Sequence, residues 1–443
     1  MESMLTRRQL LAAAPALAAS RSLRLATFTV DVTPPIGAPL CYSLVVPATA
    51  VETPLLAKGV VLYPSGQAPI VLCAIDWLGI GNESHLDWRT RLAQALRTTP
   101  DRVAIHTVHQ HDAPGDDRAA LAFAPPGTLT PGDFCHAAVA RVAAAARAAK
   151  PQRVDRLALS QAPVEKVASN RRILSPDGQT LLFQRFTACR NSPYCDAPEG
   201  VIDPNLKTLS FYSGARRLAS LHYYATHPMS YYGKGLVGYD FVGMARESLP
   251  GFHIYFTGAA GNIGAGKYND GAPANRAVLA GRIAAAMKAS LAAEKPIPLP
   301  SLDWRAVPVT LPHRTGPGFD EASIRAFIAD EKALPRDRAS HSRYLAWLLR
   351  CRQGGPNITL QALRLDGAAI LHYPGELFVE YQIAASAENR NAWTAMAAYA
   401  DYGPMYIGTA KSYSEGGYET SAVSRVAPAS EEILLGAIRP LIG

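Results

Sequence analysis

The sequence has 443 residues, 48% of them hydrophobic and 18% charged. That composition excludes global disorder, a collagen repeat and a coiled coil, and leaves a chain that buries a large core. The formal charge is +8, but the basic residues are scattered, without a Lys/Arg run of five or more, which argues against a nucleic-acid partner. Length alone suggests roughly three domains at about 150 residues each. No linker divides the chain, so one large mixed domain is expected instead.

In chain order, Thr6-Arg7-Arg8-Gln9-Leu10-Leu11 precedes the small apolar stretch Ala12 to Ala19. A paired arginine ahead of a short, mild hydrophobic segment reads as a twin-arginine export signal over residues 1–20, with an ordinary frayed helix as the plain alternative. The expected mature unit is 21–443, periplasmic or secreted from a bacterium. The apolar stretch is too short to span a bilayer, and no later segment has the length for a membrane helix. Six cysteines are present without a CxxC. Zinc ligation through cysteine is therefore not expected, while Cys189 and Cys195 are spaced to bridge a short loop in an oxidising compartment.

β-type apolar runs fall at Leu25–Val32, Gly59–Tyr63, Ile70–Asp76, Val103–Val108, Leu206–Tyr212, Ser220–Ala225, His253–Thr257, Ile358–Leu365 and Ala368–Tyr373. Helical periodicity falls at Leu86–Arg97, Phe134–Ala149, Arg276–Ala293, Glu321–Lys332 and Arg343–Cys351. Hairpin signals sit at Ser213-Gly214 and Asp366-Gly367. The interleaving predicts an α/β (mixed α+β) fold with a mixed β-sheet core flanked by helices. The Pro-rich, then helical, segment 298–357 reads as a lid or subdomain.

Four loops carry polar residues out of apolar context just after predicted strands. In Val108-His109-Gln110-His111-Asp112, positions i and i+2 of an extended segment share a face, so both imidazoles can serve one site. Tyr224-Ala225-Thr226-His227-Pro228 closes an aromatic strand. The Pro-Gly turn of Tyr373-Pro374-Gly375-Glu376 presents a carboxylate. Glu415-Gly416-Gly417-Tyr418-Glu419 allows close backbone approach. Each loop alone is equally compatible with hydrogen-bonded or solvated loop residues. Together, two histidines and one glutamate make a zinc-hydrolase ligand set with an open position for water.

With these motifs in order, the sequence resembles the neutral/alkaline non-lysosomal ceramidase family. The resemblance starts at Val30-Asp31-Val32-Thr33-Pro34-Pro35-Ile36-Gly37 and runs through His109-Gln110-His111-Asp112-Ala113-Pro114-Gly115, Asn170-Arg171 and Ala225-Thr226-His227-Pro228. It continues through Gly258-Ala259-Ala260-Gly261-Asn262, Pro374-Gly375-Glu376 and Gly417-Tyr418-Glu419. It implies a single catalytic domain, a zinc ion (Zn2+) held by His109, His227, Glu376 and Tyr418, and a lipid-like or other small amide as substrate. His111 would be the proton-transfer group and Arg171 would face the substrate, with Asn170 and Asn262 beside it. The family's immunoglobulin-like C-terminal domain is expected to be missing. Zinc would polarise the amide carbonyl and activate water.

The pattern departs at Gly264, which stands where the family carries a serine. The following Ala265-Gly266-Lys267-Tyr268 also differs, and Lys267 is a candidate for an anionic group, or simply a solvated lysine. Three readings stay open: an N-acyl amide hydrolase acting on ceramide or a related compound, a hydrolase of another amide or ester, and a non-catalytic zinc-containing binding protein.

Overall fold

Three larger sheets, each ending in a parallel pair of strands, carry the fold of the computed structural model. The structure describes residues 22–190, 193–390 and 392–443. The paired-arginine segment over 1–20 lies outside the described residues. The first sheet runs in the order Val103–Thr107, Ile70–Ile75, Leu56–Pro64, Leu23–Asp31 and Gln152–Val154. The second runs His253–Thr257, Arg216–Tyr224, Asn205–Ser213, Arg156–Pro163 and Lys295–Pro298. The third runs Leu302–Val309, Ile358–Leu365, Ala368–His372 and Thr394–Ala397. The expected mixed α+β architecture is therefore present, and both hairpins form, around Gly214 and Gly367.

The helices cover these sheets through apolar stripes. In Gly132–Ala148 the buried residues are Cys135, Ala138, Val139, Val142, Ala143 and Ala146. That is the i, i+3, i+4, i+7 pattern of one buried helix face. It packs with Asn82–Leu96 over one face of the first sheet. Strand His253–Thr257 is buried at every position, as a continuous apolar run in a covered sheet must be.

Five strands of these sheets escape the sequence pattern, two of them eight residues long. Arg156–Pro163 is interrupted by polar residues, and Leu302–Val309 is a half-exposed edge strand carrying Asp303, Arg305 and Pro308. Proline is tolerated at a sheet edge because no ladder partner needs its missing N–H. This second strand opens the segment 298–357, and it pairs from Leu302↔Leu365 to Val309↔Ile358. The start of that segment is thus built into the third sheet. Its later helices are Glu321–Ala329 and Pro335–Arg352. Among the described residues, no helix is long and apolar enough to cross a membrane. Cys189 and Cys195 form a disulfide.

The parallel edges of the three sheets meet at one junction. Thr107 N donates to Tyr399 O (3.0 Å), Ala398 N to Thr257 O (3.0 Å), and Thr257 Oγ1 to Val108 O (2.7 Å). A buried histidine ties the same junction: His106 Nδ1 donates to Ala398 O (2.7 Å), and its Nε2 lies 2.8 Å from His372 Nδ1. Because the carbonyl can only accept, His106 is a neutral ring whose Nε2 accepts from His372. Burial lowers its pKa to about 3.

The unfolded chain therefore takes up a proton at this residue below about pH 6.5, while the folded chain does not until about pH 3. Stability contributed by neutral His106 is fully present above the unfolded pKa. It falls by about 1.4 kcal/mol per pH unit below it. We expect urea midpoints of His106→Asn, compared with wild type between pH 6.5 and 4.5, to show a flatter pH dependence by that slope. Parallel curves would mean that His106 is not the neutral buried group inferred.

Candidate metal centre

Each strand at the junction runs on into a loop that carries a polar group to a common point. Val103–Thr107 leads to His109, Arg216–Tyr224 to His227, and Ala368–His372 to Glu376. Ligands gathered beyond the carboxyl ends of parallel-paired strands are a general consequence of open mixed sheets. His109 sits at φ 72°, a left-handed conformation uncommon for a side-chain-bearing residue and held where surrounding contacts over-determine it. Its N–H donates to Trp77 O (2.9 Å). Two glycines let the loops touch. A Cβ on Gly261 would lie 2.2 Å from the Glu376 carbonyl oxygen, and one on Gly375, at φ +61°, 2.4 Å from Met405 O.

The ring tautomers follow from the backbone. His109 Nδ1 donates to Leu78 O and His227 Nδ1 to Ala260 O, both at 2.6 Å. Each Nε2 is therefore a bare lone pair, and both point at one carboxylate oxygen: Glu376 Oε2 is 3.0 Å from His227 Nε2 and 3.3 Å from His109 Nε2. The His109 contact lacks hydrogen-bond geometry, so that nitrogen is buried without a partner. Burial lowers His227 to about 4, even against the pull of Glu376, which keeps the ring neutral near pH 7. Three buried acceptors within 4.8 Å of one another repel unless a cation sits among them. The residues fit a divalent metal, with backbone carbonyls orienting both imidazoles as outer partners do in metal sites.

Phenols ring this cluster. Tyr402 OH donates to Glu376 Oε1 (2.5 Å), and the charge of Glu376 also acts on Tyr406. Burial, reinforced by Glu376, holds both phenols well above their usual range, so they remain O–H donors. Tyr418 OH is 2.9 Å from Tyr406 OH. Arg171 Nη1 donates to Tyr406 OH (3.1 Å), its guanidinium lies 4.9 Å from the Tyr418 ring, and its Nε has no partner. The His111 and His109 ring centroids are 4.9 Å apart. His111 Nδ1 is buried without a partner, and burial, with His109 and His227 adding to it, drives His111 well below the usual histidine range. His111, Arg171, Glu376, Tyr402, Tyr406 and Tyr418 all line one cavity of about 500 Å³.

Three sequence candidates are not brought to this cavity. Asn170 accepts from Arg172 N and donates to Val201 O, closing its own loop. Asn262 accepts from Val379 N and donates to Glu380, tying the start of helix Val379–Glu388. Lys267 Nζ donates to the carbonyls of Cys195 and Ala197 at 3.1 and 2.7 Å, so its charge braces the disulfide loop and is not held out for a ligand. Gly264 pairs with Ser169, and a Cβ there would meet only Arg171 methylenes at 3.9 Å. The position is beside the site but carries no hydroxyl. Conversely, Tyr402, Tyr406 and Arg343 went unread. Tyr402 lies on irregular backbone after Thr394–Ala397 and Tyr406 opens the two-residue strand Tyr406–Ile407; neither stretch is long enough to show a period, and only the density of tyrosines could have flagged them.

Protein stripped with chelator should take up about one equivalent of zinc per chain. Glu376→Gln and His227→Ala should each abolish that uptake, measured by metal analysis after gel filtration. Retention of a full equivalent in either variant would put the ion elsewhere.

No family model matches the chain, and no curated protein does. Solved structures do match. Neutral ceramidase from Pseudomonas aeruginosa superposes with a TM-score of 0.68 at 16% identity, over 95% of this chain and 74% of that one. A ceramidase complexed with C2 superposes with a TM-score of 0.70 at 16% identity, over 95% and 75%. The resemblance carried by the short motifs is therefore matched by the fold of nearly the whole chain: its structural neighbours are neutral ceramidases.

Proposed function

We propose that this protein is a zinc-dependent amidohydrolase that cleaves an N-acyl amide. The observation that carries the reading is the buried, all-acceptor cluster of His109, His227 and Glu376, opening into a cavity that also holds His111 and Arg171. Nitrogen and carboxylate donors in a small set with room for a further ligand suit zinc better than magnesium or calcium, which prefer oxygen. His109, His227 and Glu376 would hold the ion, with Tyr418 as the candidate fourth ligand. When bound, it supplies Lewis acidity and a water that ionises near neutral pH.

The chain's own groups do the rest. Tyr402 keeps Glu376 oriented by donating to Oε1. Arg171 and the Tyr406 hydroxyl offer donors on one side of the cavity, where an amide carbonyl oxygen gains negative charge as it is attacked. His111 is neutral because of its burial. It can therefore first accept the proton released by the attacking water, then return it from imidazolium to the leaving nitrogen. This sequence uses no hydroxyl at Gly264, so the loss of serine there leaves the route intact. We also propose export through the paired Arg7-Arg8, which replacement of both by lysine should block in a fractionation assay.

The test is turnover. Zinc-loaded protein is offered N-acyl sphingosines, N-acyl amino acids and simple esters, and an N-acyl amide should be hydrolysed. His111→Ala should lower kcat by about 10²- to 10⁴-fold while metal content stays at wild type. Hydrolysis of none of these by the metal-bound protein would favour a binding protein that keeps the fold.

A further inference from the structure

A second arginine enters the same cavity, from helix Pro335–Arg352. Arg343 is only 2% exposed and lines the cavity together with His111, Arg171 and Glu376. Its guanidinium stacks 3.5 Å over the Tyr42 ring, and its Nη2 donates to the Met405 sulfur at 2.8 Å. Thioether sulfur is a weak acceptor. Nε has no partner, and the nearest carboxylate, Asp117, is 3.8 Å away. A buried cation without an oxygen acceptor at hydrogen-bond distance is a costly arrangement for a protein to keep.

Asp117 does not neutralise it. Arg425, 1% exposed, with Nε and Nη1 unpartnered, acts on the same Asp117. Two guanidiniums thus share one carboxylate, itself already accepting from Asn82 Nδ2 at 2.9 Å. On the metal side, Glu376 is engaged by the histidines, and Glu419 by Arg172 at 3.2 Å. The Arg343 end of the cavity therefore keeps an excess of positive charge. Tyr402 connects the two parts: its hydroxyl is on Glu376 and its ring is 5.4 Å from the Arg343 guanidinium. An anionic group docked on Arg343 would lie about one tyrosine ring from the reacting centre. The cavity mouth differs. Leu44 and Phe186 line it and are 50% and 54% exposed, an apolar rim suited to an acyl chain.

We propose that Arg343 is a specificity-determining residue that binds a carboxylate on the substrate, so that the preferred amide is an N-acyl amino acid, its acyl chain leaving over Leu44 and Phe186. The planar guanidinium matches a carboxylate with two parallel N–H donors, which a neutral alcohol head cannot reproduce. This assignment rests on the amidohydrolase reading for its reaction but not for its binding step.

The experiment compares N-decanoylglycine with the neutral N-decanoylethanolamine on the zinc-loaded, full-length protein. Wild type should prefer the acid in kcat/KM by about 30-fold. Arg343→Gln should bring the ratio close to one, mainly through KM of the acid, and Arg343→Lys should retain part of it. Equal use of both substrates by wild type, or an unchanged ratio in Arg343→Gln, would overturn the proposal. Calorimetry with the ketomethylene isostere of N-decanoylglycine, which cannot be hydrolysed, separates the two readings. Arg343-dependent binding of the isostere without turnover of either amide supports the carboxylate site and counts against the hydrolase. Turnover of the amides without that binding preference does the reverse.

Discussion

Two imidazoles and a carboxylate have been placed so that none can satisfy another. The Nδ1 protons of His109 and His227 are fixed on main-chain carbonyls, and so both Nε2 lone pairs converge on Glu376 Oε2. In the interior such a cluster is repulsive, because acceptors that have lost water need donors or a cation. Much of the surrounding construction answers that constraint. Tyr402 brings a phenolic proton to Glu376, and a left-handed His109 and two close-approach glycines hold the geometry against relaxation. The sum is a site with one unmet need, a positive charge at its centre.

The need is met by convergence of the sheets, not by any one element. Each ligand belongs to a different sheet, and each follows a strand that pairs in parallel with a neighbour. The backbone bonds at Thr107, Thr257 and Ala398 lock the three edges together a few residues before the ligands begin. Ligand positions are then set by main chain and not by long, flexible side chains, which lowers the entropy lost on ordering the site. The His106–His372 contact adds a polar tie in the same place. Unlike the metal cluster, it is satisfied by alternating donor and acceptor along the pair. Two histidine groups a short distance apart therefore have opposite characters, decided by where their Nδ1 protons go.

Local pattern carried most of this far into the sequence reading. His253–Thr257 and Ile358–Leu365 are legible at their observed bounds, the first because it is buried at every position and the second because apolar and polar residues alternate over most of its length. The three ligands were readable because His-x-His, Thr-His-Pro and Pro-Gly-Glu each interrupt an apolar context at a strand end. What failed was anything defined by tertiary neighbours. Leu302–Val309 has an edge strand's mixed composition and no period to detect. Asn170, Asn262 and Lys267 looked like substrate contacts because they adjoin the motifs, yet a side chain next to a site in sequence can bond elsewhere: Asn170 to its own loop, Asn262 to the start of helix Val379–Glu388 and Lys267 to the disulfide loop. Arg343 was invisible for the converse reason: it arrives from a helix otherwise read as covering structure, and nothing in its neighbours announces a cavity.

Charge ties the fold to the chemistry. The net positive character of the whole chain says little about function, since most basic residues are scattered on the surface. The buried guanidiniums are another matter. Arg172 and Arg246 are each matched with carboxylates within hydrogen-bond distance, as buried ions must be. Arg171 and Arg343, the two that line the cavity, are not; their closest partners are a phenol, a thioether and aromatic faces. The cavity arginines are thus underpaired, as is Arg425, which shares Asp117 with Arg343. Among the histidines, His106 is bonded at both ring nitrogens, whereas His109 Nε2, His111 Nδ1 and His372 Nε2 are left open. The buried nitrogens of His109, His111, Arg171 and Arg343 that lack a partner meet at or beside this one cavity, where a ligand's atoms can supply what the protein withholds.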